Sequence, residues 1–307
     1  MNNFFLPFNI ATSDQKISHE KAFTFLGSCF SDEIGSEAIL SGFDVLTNPF
    51  GTIFNPISLS QQIVNAINNS EEFPLLERDS RFYSWDASTK LVGSSPQEIT
   101  DLLSKKRQQL RAQLSKPGLL VVTFGTAYIY RLEQSQIVAN CHKQPHHLFL
   151  KELASKDELL TNWIEAIDVL REFNPFVEIV FTVSPVRHIR DGIIENTISK
   201  ARLIEVVSEL TSKYGVGYFP SFEIILDELR DYRFFKQDRI HPNEEAVSYV
   251  WKRFSDVYFP AETQVIIQKI KQIRKRLSHQ SDIQLLLDDK TNQLVKEIEQ
   301  NYPWIQW

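Results

Sequence analysis

Two cysteines, Cys29 and Cys141, are all that 307 residues contain, too few for a disulfide framework. Reduced thiols are the expectation. No apolar run approaches the roughly 20 residues that a membrane-spanning helix needs. The opening residues, MNNFFLPFNIATSDQK, lack a basic stretch followed by an apolar core and a small-residue cleavage site, so no secretory leader is read and a cytoplasmic location is expected. Positive charge is not in excess either. Lys and Arg number 33 against 39 Asp and Glu, a net charge of -6. That balance provides no field for nucleic acid and demands no cationic partner. Internal repeats and low-complexity linkers are missing too, which excludes a repeat array.

What is present is the material of a core. Hydrophobic residues make up 42% of the chain, enough for one large domain or for one domain with an appendage. AFTFLG at 22–27, FDVL at 43–46, GLLVVTF at 118–124, VEIVFTV at 177–183 and VGYF at 216–219 read as strands buried on both faces. Between them, 32–40, 96–115, 157–171 and 196–213 carry apolar residues at spacings of three and four, as crossover helices do. The pattern predicts a three-layer α/β sandwich with a mainly parallel sheet over residues 1–259. Residues 125–156 are less regular and read as a long insertion over the sheet edge. After Pro260, Ile266, Ile270, Ile273 and Leu277 mark a helical extension over 260–307. Its basic cluster of Lys269, Lys271, Arg274, Lys275 and Arg276 is offset by Asp288, Asp289, Glu297 and Glu299, which favours a solvated helix face over a membrane or nucleic-acid patch.

Two short segments carry chemistry together that neither carries alone, FLGSCF at 25–30 and DRIHPN at 238–243. A nucleophile at a tight strand-to-helix turn stands above the sheet edge, where the helix N-terminus stabilises an anion, and Gly27 permits such a turn. An Asp and a His three residues apart in a loop can present the imidazole to that nucleophile while the carboxylate fixes its tautomer.

These segments resemble the SGNH hydrolases, which carry a G-D-S block after the first strand and a D-x-x-H block near the end. They resemble the GSCFA family within that group more closely. NPFGTIFNP at 48–56, TFGTA at 123–127, NCHKQP at 140–145, SPVRH at 184–188, SKARL at 199–203 and FPSFEIILDELRDYRFF at 219–235 extend the similarity over roughly residues 20–255. The resemblance implies an SGNH-like sandwich with flavodoxin-like strand order and a triad of nucleophile, His241 and Asp238. Laid on G-D-S, Gly27-Ser28-Cys29 puts Cys29 at the nucleophile position, as a thiol whose pKa His241 and the helix N-terminus would lower. Ser28 stays open as the nucleophile, or as a helix cap beside a buried, inert Cys29.

The oxyanion hole of the resembled enzymes uses the nucleophile's N–H, a second-block Gly and a third-block Asn. Gly51 fits the second role, but Ala127 stands where the Asn would be, and a missing donor typically costs about 3 kcal/mol. Asn140 is the candidate substitute, or else closes a turn before Cys141. His142 and Lys143 are expected to face substrate or to stabilise their loop, with His146 and His147 exposed. Adjacent Cys141-His142 is poor finger spacing and no C-x-x-C pair exists, so no metal and no cofactor are expected. Arg187 and His188 follow a strand at the edge where α/β sheets bind ligands. Arg187 could hold a substrate carboxylate or phosphate, or pair with Asp238 or Glu223. Asp227, Arg230, Asp231 and Arg233 read as a helix-end salt network.

The function expected is that of an esterase or acyltransferase acting on a small-molecule or glycan ester, with a glycan O-acetyl group as the first expectation. The alternative is a catalytically weak binding protein that keeps the crevice. Oligomeric state is not encoded in any feature of the chain.

Overall fold

The computed structural model describes residues 6–133, 135–279 and 289–305. The chain runs through β1 (Ala22–Gly27), α1 (Cys29–Leu40), β2 (Asp44–Thr47), α2 (Pro56–Ile67), β3 (Leu75–Arg78), β4 (Arg81–Ser84), α3 (Pro96–Leu114), β5 (Gly118–Phe124), β6 (Tyr128–Arg131), β7 (Leu150–Leu153), α4 (Lys156–Phe173), β8 (Val177–Val183), α5 (Ile193–Tyr214) and β9 (Gly217–Tyr218). A short turn, α6 (Ser221–Glu223), widens into a π-helix over Ile224–Glu228, and α7 (Glu244–Tyr258), α8 (Ala261–His279) and α9 (Asp289–Asn301) follow.

Side-chain caps start most of the crossover helices. Asn55, Ser95, Ser155 and Asn243 each accept a backbone N–H three residues on, opening α2, α3, α4 and α7. Pro56 and Pro96 occupy first-turn positions where no N–H is missed.

Five strands form one parallel sheet in the order β2-β1-β5-β8-β9, the flavodoxin-like order expected. The side-chain alternation of the strands sends two cores to opposite faces. Leu26, Leu120, Val122, Phe124, Ile179 and Phe181 pack under α2, α3, α4 and α5. Phe23, Phe25, Leu119, Val121 and Val180 pack under α1, α7 and the π-helical segment. The result is a three-layer sandwich. Two hairpins, β3–β4 and β6–β7, flank it. Residues 125–156, irregular in sequence, are therefore organised around β6–β7.

In the extension, Ile267 joins the core under α7, whereas Ile266, Ile270 and Ile273 form a separate cluster with Ile298 and Ile305. Three of its cations are engaged close to the surface: Lys269 pairs with Glu297, Lys271 with Glu37, and Arg274 donates to the Ile39 carbonyl. Asp288 lies outside the described residues. Among the described residues no helix is long and apolar enough to cross a membrane.

The turn from β1 into α1 depends on Gly27, at φ +134, where a Cβ would collide with the carbonyl oxygen of Thr123 on the neighbouring strand. A side chain there meets both backbone strain and a steric clash. Gly27→Ala is expected to lower stability by at least about 2 kcal/mol, or to prevent folding, as read by urea denaturation.

Candidate active site

The site assembles where β1, β5 and β8 end. Ser28 caps α1, its hydroxyl accepting the Phe30 N–H, while its own N–H donates to the Thr123 carbonyl at 3.2 Å. It is fully buried. Cys29, the first helical residue, is only half-buried, which leaves its thiol as the more accessible of the two candidate nucleophiles.

The 48–54 segment is clamped to this turn. Asn48 Oδ1 accepts the Gly27 N–H at 2.8 Å, Asn48 Nδ2 donates to Asp32 at 2.7 Å, and the Ile53 N–H donates to the Gly27 carbonyl at 3.0 Å. At its far end the Phe54 carbonyl accepts the N–H groups of Gly125 and Thr126. Gly51, at φ +77, is packed against Ser88, and its N–H closes a turn onto the Asn48 carbonyl at 2.7 Å. That N–H is thereby occupied. The neighbouring Thr52 N–H has no acceptor among the described residues, and its hydroxyl donates to Asp32 at 3.0 Å.

The Asp238–His241 loop is self-locking. Asp238 accepts the N–H groups of His241 and Ile240 through one oxygen and faces His241 Nδ1 at 2.7 Å with the other. The backbone N–H groups, His241's first, hold this carboxyl well below the usual range. Against an ionised carboxylate Nδ1 is the donor, which turns Nε2 away from Asp238. Lys236 ties this loop to α1: its N–H donates to the His241 carbonyl at 2.7 Å, and its ammonium pairs with Glu33 at 2.9 Å. Cys29 and His241 therefore share one edge, although no hydrogen bond joins thiol and imidazole.

The thiol differs from expectation in its acidity. Burial, then the charges of Asp32 and Glu33, push the Cys29 pKa up. Two carboxylates at the start of α1 outweigh the helix N-terminus and Lys200.

Arg187 makes neither expected ion pair. Its guanidinium lies 5.0 Å from the Phe235 ring and 6.0 Å from Tyr232, and donates to the Arg239 carbonyl at 3.4 Å, while Glu223 receives the Tyr218 hydroxyl. With Asp227, Arg230 and Tyr232 it lines a cleft of about 420 Å³ beside the His241 loop. Of the expected salt network, Arg233 pairs with Asp231. His188 packs against Phe54, and its Nε2 is buried with no hydrogen-bond partner among the described residues. Burial, then the charge of Lys200, lowers its pKa to about 4, so it is neutral at ordinary pH.

Asn140, His142 and Lys143 belong to another neighbourhood. Asn140 Oδ1 accepts the His142 N–H and the Thr89 hydroxyl, a turn-closing arrangement. His142 is fully buried, with Nε2 2.7 Å from the Ser84 carbonyl, and burial lowers its pKa. Lys143 is an exposed turn residue at φ +57. Their hydrogen bonds hold the 140–143 loop to the β3–β4 hairpin and not to the sheet edge. Burial pushes the Cys141 thiol up to about 11. Among the described residues no group of three or more His, Cys, Asp or Glu could hold a metal ion.

The residue that sequence reasoning passed over is Lys200. Fully buried on α5, it donates to the carbonyls of Gly125 at 2.6 Å and Ser184 at 2.7 Å, and burial lowers its pKa to about 7. The signal was present: Asn196, Ser199, Lys200, Leu203, Val207 and Leu210 form one buried stripe, and a lysine within an apolar stripe is exceptional. The unfolded value is near 10.5. Between about 7 and 10.5 the unfolded chain holds a proton that the folded chain has lost, so Lys200 makes stability rise with pH across that window and adds no slope below it. Thermal melts should show this rise from about pH 7 to about pH 9.5 in the wild type and its loss in Lys200→Met; identical pH dependence would place Lys200 in water.

Comparison with known proteins adds the family. No curated protein matches the chain. Among solved structures, a carbohydrate esterase family 3 protein from Talaromyces cellulolyticus is similar at 9% identity and a TM-score of 0.36, covering 82% of this chain and 99% of that one. An acetyl xylan esterase (Est2A) from the rumen bacterium Butyrivibrio proteoclasticus is similar at 11% identity and a TM-score of 0.35, covering 84% of this chain and 64% of that one. At such scores neither likeness carries an argument about this chain. The sequence model of the GSCFA family matches residues 22–254. That span takes in every residue just placed at the sheet edge and ends before the two C-terminal helices, and the chain belongs to the GSCFA family.

Proposed function

We propose that the protein hydrolyses or transfers an ester-linked acyl group through Cys29. The observation that carries this reading is the half-buried Cys29 thiol at the N-terminus of α1, on the same sheet edge as the hydrogen-bonded Asp238–His241 pair. Since burial and two carboxylates oppose a resting thiolate, His241 Nε2 takes the thiol proton as sulfur attacks the acyl carbon. Asp238 stays ionised and supports the imidazolium. The N–H groups of Cys29 and Thr52 receive the oxyanion, in place of the Gly51 N–H that its turn has occupied. Collapse of the tetrahedral intermediate returns the proton from His241 to the departing alcohol. A water or an acceptor hydroxyl then attacks the thioester, losing its proton to the same nitrogen, and restores the thiol.

The cleft lined by Arg187, Asp227, Arg230 and Tyr232 adjoins the His241 loop, and its mixture of aromatic face and planar charged groups suits sugar hydroxyls. A glycan O-acetyl ester is the proposed substrate class. Two unpaired thiols fit a reducing compartment, and a cytoplasmic location is proposed with it.

Turnover of p-nitrophenyl acetate tests the reading. Cys29→Ala should abolish it, and His241→Ala should lower kcat/KM by about 10²–10⁴-fold. Ser28→Ala should keep activity while losing about 1 kcal/mol of stability through the missing cap. Activity surviving Cys29→Ala but not Ser28→Ala would exchange the two roles; no turnover by the wild type would leave a binding protein.

A further inference from the structure

Lys200 is a buried lysine that pairs with no carboxylate among the described residues. Its partners are two neutral carbonyls, those of Gly125 and Ser184, just past the ends of β5 and β8. The neutral amine could donate to both carbonyls, whereas the ammonium, withdrawn from water, is costly unless a negative charge accompanies it. The backbone shows which group stands across from it. Ser28 donates to the Thr123 carbonyl, two residues before Gly125, and the 53–54 segment binds both the Gly27 carbonyl and the Gly125 N–H. The turn bearing Cys29 and the carbonyl that holds Lys200 are therefore adjacent along one edge. Ser199, the preceding residue, secures the same loop through Thr126 and the Ala127 N–H, so α5 grips this edge with two consecutive side chains.

Charge interactions link Lys200 to Cys29 at the start of α1 and to His188 after β8. His188 is in turn reached by Asp191 and His241. Among the described residues, Cys29 is the acid whose charge acts on Lys200.

We propose that Lys200 is the charge partner of Cys29: a buried ammonium, held in place by the Gly125 and Ser184 carbonyls, that stabilises negative charge on the Cys29 sulfur. The proposal deepens the reading of Cys29 as nucleophile and rests on it for its catalytic meaning. Lys200 acts through Cys29 and is a positioning residue. It opposes the carboxylates of Asp32 and Glu33, which disfavour the thiolate from the other side. The assistance is present while Lys200 holds its proton and vanishes once it is lost, which distinguishes it from a role in packing alone.

The test is the rate of alkylation by iodoacetamide on the full chain, followed at Cys29 by peptide mass so that Cys141 is scored separately. In Lys200→Met, alkylation of Cys29 at about pH 6 should be slower than in the wild type by about tenfold, and the two rates should converge near pH 9.5, where Lys200 is neutral. Equal rates at the lower pH, or the same slowing at both, would overturn the proposal. Should that variant fail to fold, the wild-type profile decides. The logarithm of its rate should break from a straight rise near Lys200's pKa of about 7, and the break should persist in His241→Ala, so that the imidazole is not its source. An unbroken rise overturns it. Wild-type turnover of p-nitrophenyl acetate separates the two readings. Coupling without turnover leaves Lys200 as the partner of Cys29 in a protein that is not a hydrolase, and turnover without coupling removes Lys200 alone.

Discussion

The whole edge depends on the 48–54 segment being laced between the ends of two strands. Asn48 holds the last residue of β1, Ile53 returns to its carbonyl, and Phe54 takes two N–H groups just beyond β5. Such bonds form because strand ends leave backbone groups without ladder partners, and burial makes unpaired groups expensive. The lacing also directs Gly51's N–H into a turn and, among the described residues, gives Thr52's no acceptor. A single-residue shift of this kind changes which N–H groups are exposed at the edge without altering the fold.

Electrostatics at the same edge are balanced. Asp32 and Glu33 sit in the first turn of α1, a position that helices favour for acids, yet one that disfavours a second anion on Cys29. Both are also structural: Asp32 receives Asn48 and Thr52, and Glu33 receives Lys236, which anchors the Asp238–His241 loop. Burial first, and then these same acids, raise the pKa of the thiol. A nearby base and a buried cation are the two physical means of reversing that, the parts proposed above for His241 and Lys200.

Much of the architecture was legible. GLLVVTF and VEIVFTV become β5 and β8 over the residues expected, because strands buried on both faces leave uninterrupted apolar runs. The β3–β4 hairpin was not legible. Its two-residue turn uses Asp79 and Ser80 at φ 53 and 57, a left-handed pair without the glycine that advertises such turns. The π-helical widening at Ile224–Glu228 likewise leaves no pattern distinct from an ordinary helix. At the site, Asp238–His241 was readable because both residues lie in one tetrapeptide whose spacing dictates their contact. Asn140 and His142 misled, since a polar cluster in an irregular loop serves turn closure as readily as ligand binding.

By itself the sequence determined the elements with local or periodic causes: the parallel strands, the capped crossover helices, the glycine turn ahead of Cys29, and the carboxylate–imidazole pair. Tertiary structure decided the properties that arise between distant segments. Whether a thiol is acidic depends on what surrounds it in space, and here burial and the carboxylates of α1 override its helix terminus. Whether a lysine is a surface charge or a buried one depends on which helix face meets the sheet, and only the packing of α5 against β5 and β8 makes Lys200 part of the edge. Local propensity acts through neighbours in the chain, whereas charge and solvation act through neighbours in space.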